Sequence, residues 1–363
     1  MARFADVLSI INGKNQKKVE NPNGQYPIYG SGGIMGYADD YICEANTVVI
    51  GRKGSINKPI FVETRFWNVD TAFGLCADST KLHPKYLYYF CEKFDFEQLN
   101  TTVTIPSLTK ANLLKVEIPL PPLDEQRRIA AVLDKVSDLI AKRRQQLDKL
   151  DEMVKARFVE MFGDPIENNR GWPTKTLDSV CKSIVDCSHS TPSYTSVNTG
   201  YMCIRTSIVK KNCILWDKIE YIPEQEYYQR IQRKKPEKGD IVYTREGAIL
   251  GIAAMIDRDC NVALGQRSML LSPDTTKCSP QFLSSAMNFD SFLRKALRGV
   301  SGSASPHINV GDIKVFSIII PPLSLQQQFS DFVVQTEKTK TTINRSLTKL
   351  EMLKKALMHE CFG

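Results

Sequence analysis

The sequence predicts an α+β protein written twice: two strand-rich domains joined by two long helices that form an antiparallel coiled coil, related by a pseudo-twofold repeat. Three observations carry that expectation. Residues 105–163 and 305–363 align at a constant offset of 200 with no gap. In each copy, from the residue after Pro-Pro-Leu to Phe162 or Phe362, no proline or glycine interrupts a tail whose apolar residues recur in a 4-3 rhythm. Upstream of each copy, short apolar runs alternate with turn-forming residues, the pattern of strands.

In chain order, residues 1–120 form the first domain. Its apolar runs Tyr41–Cys43, Thr47–Ile50, Pro59–Val62 and Thr71–Leu75 read as strands, residues 84–97 as a helix, and Gly30-Ser-Gly-Gly-Ile-Met-Gly36 as a turn. Residues 121–163 form the first long helix. Asp124 is placed to cap it, and Ile129, Leu133, Val136, Ile140, Leu147 and Leu150 line its apolar seam, with Arg143 as a polar interruption. Residues 164–320 are the second domain, with strands at 239–244 and 250–256 around an Arg245-Glu-Gly turn and a helix over 280–298. The second long helix, 321–363, opens on a Ser324-x-x-Gln327 capping box and presents Ile343, Leu347, Leu350 and Leu357, with Thr336 and Lys340 as polar breaks. At 1.5 Å per residue each helix spans roughly 55–60 Å. Seams this narrow cover one partner, and the duplication makes each helix the other's.

The repeat is ordered. Pro106 falls on Pro306, Pro121-Pro-Leu123 on Pro321-Pro-Leu323, Gln126 on Gln326, and Phe162-Gly163 on Phe362-Gly363. The domains themselves share only a skeleton: Val49–Gly54 is similar to Val242–Gly247, with Arg52 on Arg245 and Gly54 on Gly247. A common frame carries two different contents.

Composition is that of a globular protein, with 42% hydrophobic and 24% charged residues. The net charge of +8 is modest. Residues 1–104 carry 11 basic and 11 acidic groups, and 164–304 carry 19 against 15, a bias that permits a nucleic-acid partner without requiring one. The ten cysteines form no C-x-x-C pair, and Cys187-Ser-His189 is half a zinc site with no second half, so no metal is expected. The start Met-Ala-Arg-Phe-Ala-Asp carries no leader signature, and reduced thiols in the cytoplasm are expected.

Catalytic machinery is missing. There is no G-x-x-x-x-G-K-[ST] phosphate loop, no Gly-x-Ser-x-Gly elbow and no Asn/Asp-Pro-Pro-aromatic motif for methyl transfer to DNA amines. The four histidines, at 83, 189, 307 and 359, form no obvious constellation with a nucleophile, and Asp39-Asp40 reads as a solvated turn.

Three segments carry a family resemblance: Tyr26-Pro-Ile-Tyr-Gly-Ser-Gly-Gly-Ile-Met-Gly-Tyr37, then Val48–Ser55 with Pro59–Val62 and Asp70–Phe73, then Ile118-Pro-Leu-Pro-Pro-Leu-Asp-Glu-Gln-Arg-Arg-Ile129. In order and in duplicate, the chain resembles the specificity subunit of Type I restriction-modification systems. The second copy departs at Leu325, where the first has Glu125, and lacks the Tyr-Pro-Ile-Tyr-Gly-Ser-Gly loop. The resemblance implies two target-recognition domains, each reading half of a bipartite asymmetric DNA site, with the helices as spacer. It implies no catalysis and no cofactor in this chain. Two methyltransferase subunits binding S-adenosylmethionine would dock on it, as would restriction subunits using ATP and Mg.

Sequence readout needs donors at base edges, with phosphate contacts to hold register. In the first domain Tyr29, Ser31, Arg52, Lys53 and Ser55 lie on glycine-bearing loops, and Lys14, Lys17, Lys18 and Thr102 suit the backbone. In the second, Arg245 takes the place of Arg52, and His189, Ser190 and Tyr194 belong to a separate polar loop rich in donors. Arg267, Arg298, Ser301 and Ser303 complete the expected set. Two alternatives stand beside this: the recognition part of a single-chain restriction-methyltransferase, and a coiled-coil scaffold that binds protein alone.

Overall fold

The computed structural model describes residues 1–100, 107–298, 300 and 306–363. The chain divides into two compact units, residues 1–146 with 343–363, and residues 147–342. Each long helix therefore gives one half to each unit.

The first unit has strands β1 (Leu8–Asn12), β2 (Tyr26–Gly30), β3 (Gly33–Ala38), β4 (Thr47–Gly51), β5 (Ile60–Val62), β6 (Trp67–Asn68) and β7 (Ala72–Ala77). They form an antiparallel sheet of order β1-β7-β4-β5 and a smaller one of order β3-β2-β6, in which β2 and β6 run parallel. β4 is buried at every residue, as its unbroken Val-Val-Ile run requires of a strand covered on both faces. Helix Pro84–Lys93 starts on a proline, whose missing N–H costs nothing at a helix start, and buries Tyr86, Leu87 and Phe90 in the same core as Val48, Ile50 and Leu75.

The second unit repeats the plan. Strands β8 (Cys181–Asp186), β9 (Met202–Ile204), β10 (Glu220–Tyr221), β11 (Ile241–Thr244), β12 (Ala253–Met255), β13 (Val262–Leu264) and β14 (Ser268–Pro273) form sheets β8-β14-β11-β12 and β10-β9-β13, with β9 and β13 parallel. Each strand thus has its counterpart seven labels earlier. One addition matters below: between β10 and β11 stands a helix, Glu224–Arg230, where the first unit has only residues 39–46.

Some expected elements differ. Tyr41–Cys43 contributes a single bridge, Cys43 to Phe66, and no strand. The helix expected over 84–97 stops at Lys93 and resumes as a 3-10 turn, Phe96–Leu99. That over 280–298 is two helices, Pro280–Met287 and Asp290–Leu297. Asn288 breaks it because its buried amide bonds both backbone groups of Ala253 on β12, accepting from the N–H at 3.0 Å and donating to the carbonyl at 2.7 Å.

The long helices run Leu123–Phe162 and Leu323–Phe362, 40 residues each, so the offset of 200 survives into the fold. Neither Asp124 nor Ser324 is the cap. The carbonyls of Pro122 and Pro322 already accept from Gln126 and Gln326, so proline, with φ fixed near helical values, ends the preceding extended segment one residue before each helix. Asp124 pairs instead with Arg127 inside the first turn.

Within each unit the helix halves are antiparallel. In the first unit Leu133 packs with Met358 and Tyr89, while Arg144, further along, reaches Glu351 at 2.7 Å. In the second, Phe158 packs on Phe329 and Lys340 bridges to Asp151 at 2.8 Å. Leu133, Val136 and Ile140 are buried, and Ile129 and Leu357 pack at the edge of the core. Leu147, Leu150, Ile343, Leu347 and Leu350 are half-buried. Lys340 does make the cross-helix contact expected of a register-setting break. Arg143 does not: it bonds Gln146 on its own helix, and Arg144 reaches across instead. Thr336 is buried, with its hydroxyl donating back to the Phe332 carbonyl.

The repeated glutamines and phenylalanines do repeated work. Gln126 is fully buried; its Oε1 accepts from the His83 N–H at 2.8 Å, and its Nε2 donates to the carbonyls of Lys81 and Pro121. Gln326 accepts from the Ser279 N–H at 2.8 Å and donates to Pro321. Each glutamine thus ties a long helix to the residue preceding a domain helix. Gln126→Leu should lower stability by roughly 1–3 kcal/mol, because it strands buried backbone groups that water cannot reach. A urea titration checks this, and an unchanged midpoint would remove the clamp from the account. At the far ends, Phe162 packs on Phe282 at 4.8 Å in the second unit and Phe362 on Tyr86 at 5.0 Å in the first. Gly163 takes φ +77° just past the helix, where a side chain would be strained.

Among the described residues no helix is long and apolar enough to cross a membrane.

Candidate nucleic-acid interface

In the first unit two glycine-bearing turns meet. The β2–β3 hairpin turns at Ser31-Gly32, with Gly33 at φ +118°. A Cβ on Gly51 would lie 3.0 Å from the Ser31 Cβ, so the hairpin tip rests against the end of β4. There the chain turns through Arg52-Lys53-Gly54-Ser55, with Gly54 at φ +79° and the Arg52 N–H on the Thr71 carbonyl. Arg52, Lys53 and Ser55 are exposed and Ser31 is half-buried. The Arg52 guanidinium sits 5.8 Å from the Phe73 ring centre, with no carboxylate partner among the described residues.

Lys14, Lys17 and Lys18 are exposed on the segment after β1, also without carboxylate partners among the described residues. The segment is anchored: the Lys14 N–H donates to Asn68, and its carbonyl accepts the Trp67 indole at 2.9 Å. Tyr29 differs from the rest. It lies edge-on to Phe66 at 5.4 Å, and burial pushes its phenol pKa up. The residue is half-buried, packed at the edge of the small cluster around Cys43, Val49 and Phe66. Thr102 lies outside the described residues.

The second unit places Arg245 where the alignment put it. The Arg52 carbonyl accepts from Leu108 and the Arg245 carbonyl from Ile308, both at 2.9 Å, and Gly247 takes φ +91° as Gly54 does +79°. The side chain, however, is turned inward. Only 9% exposed, it makes a two-toothed pair with Asp186, Nε and Nη2 each 2.9 Å from a carboxylate oxygen. A guanidinium so satisfied has no free fork for a base, so in this conformation Arg245 is not the exposed donor the sequence suggested. The cause is one residue. Asp186 ends β8, paired with Met269, and its counterpart Asn12 ends β1, paired with Phe73. A neutral amide leaves Arg52 free.

The loop after β8 is exposed at His189 and Ser190. The His189 Nε2 lies 3.1 Å from Asp186 and 3.4 Å from the Arg245 Nη2. The Ser190 carbonyl accepts from Arg230 at 2.9 Å. Tyr194 is half-buried beneath the Arg205 guanidinium, 4.3 Å from its ring centre, and burial raises its phenol pKa. Arg267 is exposed at φ +79° beside Gly247, without an acidic partner among the described residues. Arg298 is exposed at the end of helix Asp290–Leu297. Ser301 and Ser303 lie outside the described residues.

The sequence reading missed a cleft of about 280 Å³, walled by residues 185–189 on one side and by Gln229, Arg230, Gln232, Arg233 and Lys234 on the other. The signal was the amide- and cation-rich run Gln229-Arg-Ile-Gln-Arg-Lys-Lys235, which resembles an ordinary solvated charge run. Cys187 is buried, which raises its thiol pKa, and among the described residues no three His, Cys, Asp or Glu side chains converge as a metal site.

Two domains of one topology, each offering an arginine turn at the same place but different side chains around it, define a tandem recognition protein on a helical frame. The chain belongs to the family of the Type I restriction modification DNA specificity domain, which matches residues 1–151 and 169–352. The MjaVIII specificity subunit of Methanocaldococcus jannaschii is 22% identical, covering 99% of this chain and 91% of that one. The putative type I restriction enzyme specificity subunit S.HindORF215P of Haemophilus influenzae is 24% identical, over 94% and 88%. Among solved structures, the Type-I restriction-modification S subunit from M. genitalium superposes with a TM-score of 0.63 at 16% identity, covering 100% and 95%. A chain from a type I R-M system solved for its complex assembly gives 0.54 at 17% identity, over 99% and 96%. The family resemblance and the α+β tandem fold expected from the sequence are both borne out.

Proposed function

We propose that this chain is the DNA-reading specificity subunit of a Type I restriction-modification complex, contacting one half of a bipartite asymmetric site with each domain. The carrying observation is the pair of equivalent arginines in one frame, Arg52 free and Arg245 clamped, which is how two readers of different sequence would differ. In this reading the chain makes and breaks no bonds. The methyltransferase subunits that dock on it bring S-adenosylmethionine, and restriction subunits bring ATP and Mg. The uninterrupted helices set the spacing between half-sites.

The test is co-expression of the full chain with its methyltransferase partner and mapping of methylated adenines. A split motif with a fixed spacer is expected. Arg52→Ala should relax one half-site by roughly 10- to 100-fold, the worth of one two-toothed guanidinium–base contact, and leave the other half unchanged. Normal complex assembly with no site-specific methylation by the unmutated chain would instead favour a protein-only scaffold.

A further inference from the structure

We infer that the second domain reads bases through the rim of its cleft, with Gln229, Gln232 and Arg233 as the specificity-determining side chains. The inference rests on the proposed function and names the site that replaces Arg245.

The second domain has lost the donor that the first presents, since Arg245 is spent on Asp186. It has also gained an element the first lacks, helix Glu224–Arg230, whose end and following turn form one wall of the cleft. The donors on that wall divide by whether they are already used. Lys234 is engaged by Glu237 at 2.7 Å and Asp240 at 3.7 Å. Arg230 is engaged by Glu226 and Ser190. Gln229 and Gln232 are exposed and have no partner among the described residues. Exposed Arg233 makes one long bond, 3.4 Å to the Asp186 carbonyl. The unpartnered Arg230 Nη1 is buried, so the exposed donors that remain free are two amides and one guanidinium, the groups that match adenine and guanine edges in two-toothed fashion. The lysine, better suited to phosphate as a point charge, is the one already neutralised.

The rim is also held in place. The Arg230 side chain is 3% exposed, and its Glu226 partner accepts in addition from the Ser193 N–H at 3.0 Å. Arg230 reaches the Ser190 carbonyl and hydroxyl at 2.9 and 3.2 Å. A single buried pair thus joins the added helix to the loop of His189 and Ser190. Side chains on a fixed frame lose less freedom on binding, which favours readout over a loose electrostatic grip.

The experiment uses the full chain co-expressed with its methyltransferase partner, with methylated adenines mapped genome-wide for Gln229→Ala, Gln232→Ala, Arg233→Ala and Arg233→Lys. Base reading predicts that at least one alanine variant methylates sites altered at particular positions of one half-site, with discrimination there falling roughly 10- to 100-fold. That half must be the one Arg52→Ala leaves intact. Arg233→Lys keeps the charge and loses the fork, so it should relax specificity as Arg233→Ala does. An unchanged motif with uniformly weaker methylation, restored by Arg233→Lys, would make the rim a phosphate contact and overturn the inference. So would four unchanged methylation maps. If the unmutated chain gives no split motif, the proposed function falls and the inference with it, whereas a normal motif with insensitive variants sinks the inference alone.

Discussion

Phe162→Ala should cost the second unit roughly 3–5 kcal/mol, the range for removing a buried aromatic ring from a core that cannot collapse around the gap. Phe162 is 0% exposed and touches three other rings, Phe158 at 5.1 Å, Phe282 at 4.8 Å and Phe329 at 5.6 Å. These come from its own helix, from the domain helix Pro280–Met287 and from the facing long helix. One truncation therefore loosens three elements together. The protein contains its own reporter, because the Trp172 indole donates to the Phe162 carbonyl at 3.0 Å. Urea unfolding followed by Trp172 fluorescence, with Trp67 and Trp216 replaced by phenylalanine in the background, should show the midpoint fall. Phe362→Ala is the counterpart in the first unit. Its ring is only partly buried, against Tyr86 and Phe90, so a smaller loss is expected. A Phe162→Ala shift below about 1 kcal/mol would mean that the Phe-Gly repeat is not a structural anchor.

That anchor was visible in the sequence as an identity, and its meaning was not. The long helices were legible because nothing interrupts them and their apolar period is local. The strands flanking Arg52 and Arg245 were legible because a run such as Val48-Val-Ile50 has few other uses. What stayed hidden depends on partners far apart in the chain. Gln126 bonds His83, 43 positions away, and Asn288 leaves its helix for Ala253, 35 away. Neither propensity nor periodicity encodes such a bond. The helix caps fall two residues earlier than Asp124 and Ser324, which are good capping types, because here the preceding proline supplies the first acceptor. At the candidate interface, alignment put Arg245 correctly on the backbone and was silent about its side chain, whose fate depends on a carboxylate 59 positions upstream.

The same contrast makes the second unit vulnerable where the first is not. Asp186→Ala should destabilise by roughly 3 kcal/mol, because it leaves a guanidinium that is 9% exposed without its counter-charge. Arg245→Ala strands the carboxylate instead, and Asp186 is 19% exposed, so water can reach it and a smaller loss is expected. The two losses should not add. Once either partner is gone the pair is already broken, and a double-mutant cycle should return a coupling of about 1–3 kcal/mol. Replacing both with apolar residues of similar size, Asp186→Leu with Arg245→Met, should recover most of the stability, since the cost lies in the unpaired charge rather than in the lost attraction. Arg52→Ala in the first unit should change stability by no more than about 0.5 kcal/mol, because its guanidinium is exposed and holds no carboxylate. Thermal unfolding of the five variants, read beside their methylation maps, separates the two arginines. Arg52→Ala should alter the map and leave the melt unchanged. Arg245→Ala should lower the melt, and any change in its map should scale with the loss of fold. A coupling near zero between Asp186 and Arg245 would show that the pair does not form in solution and would return Arg245 to the set of base readers.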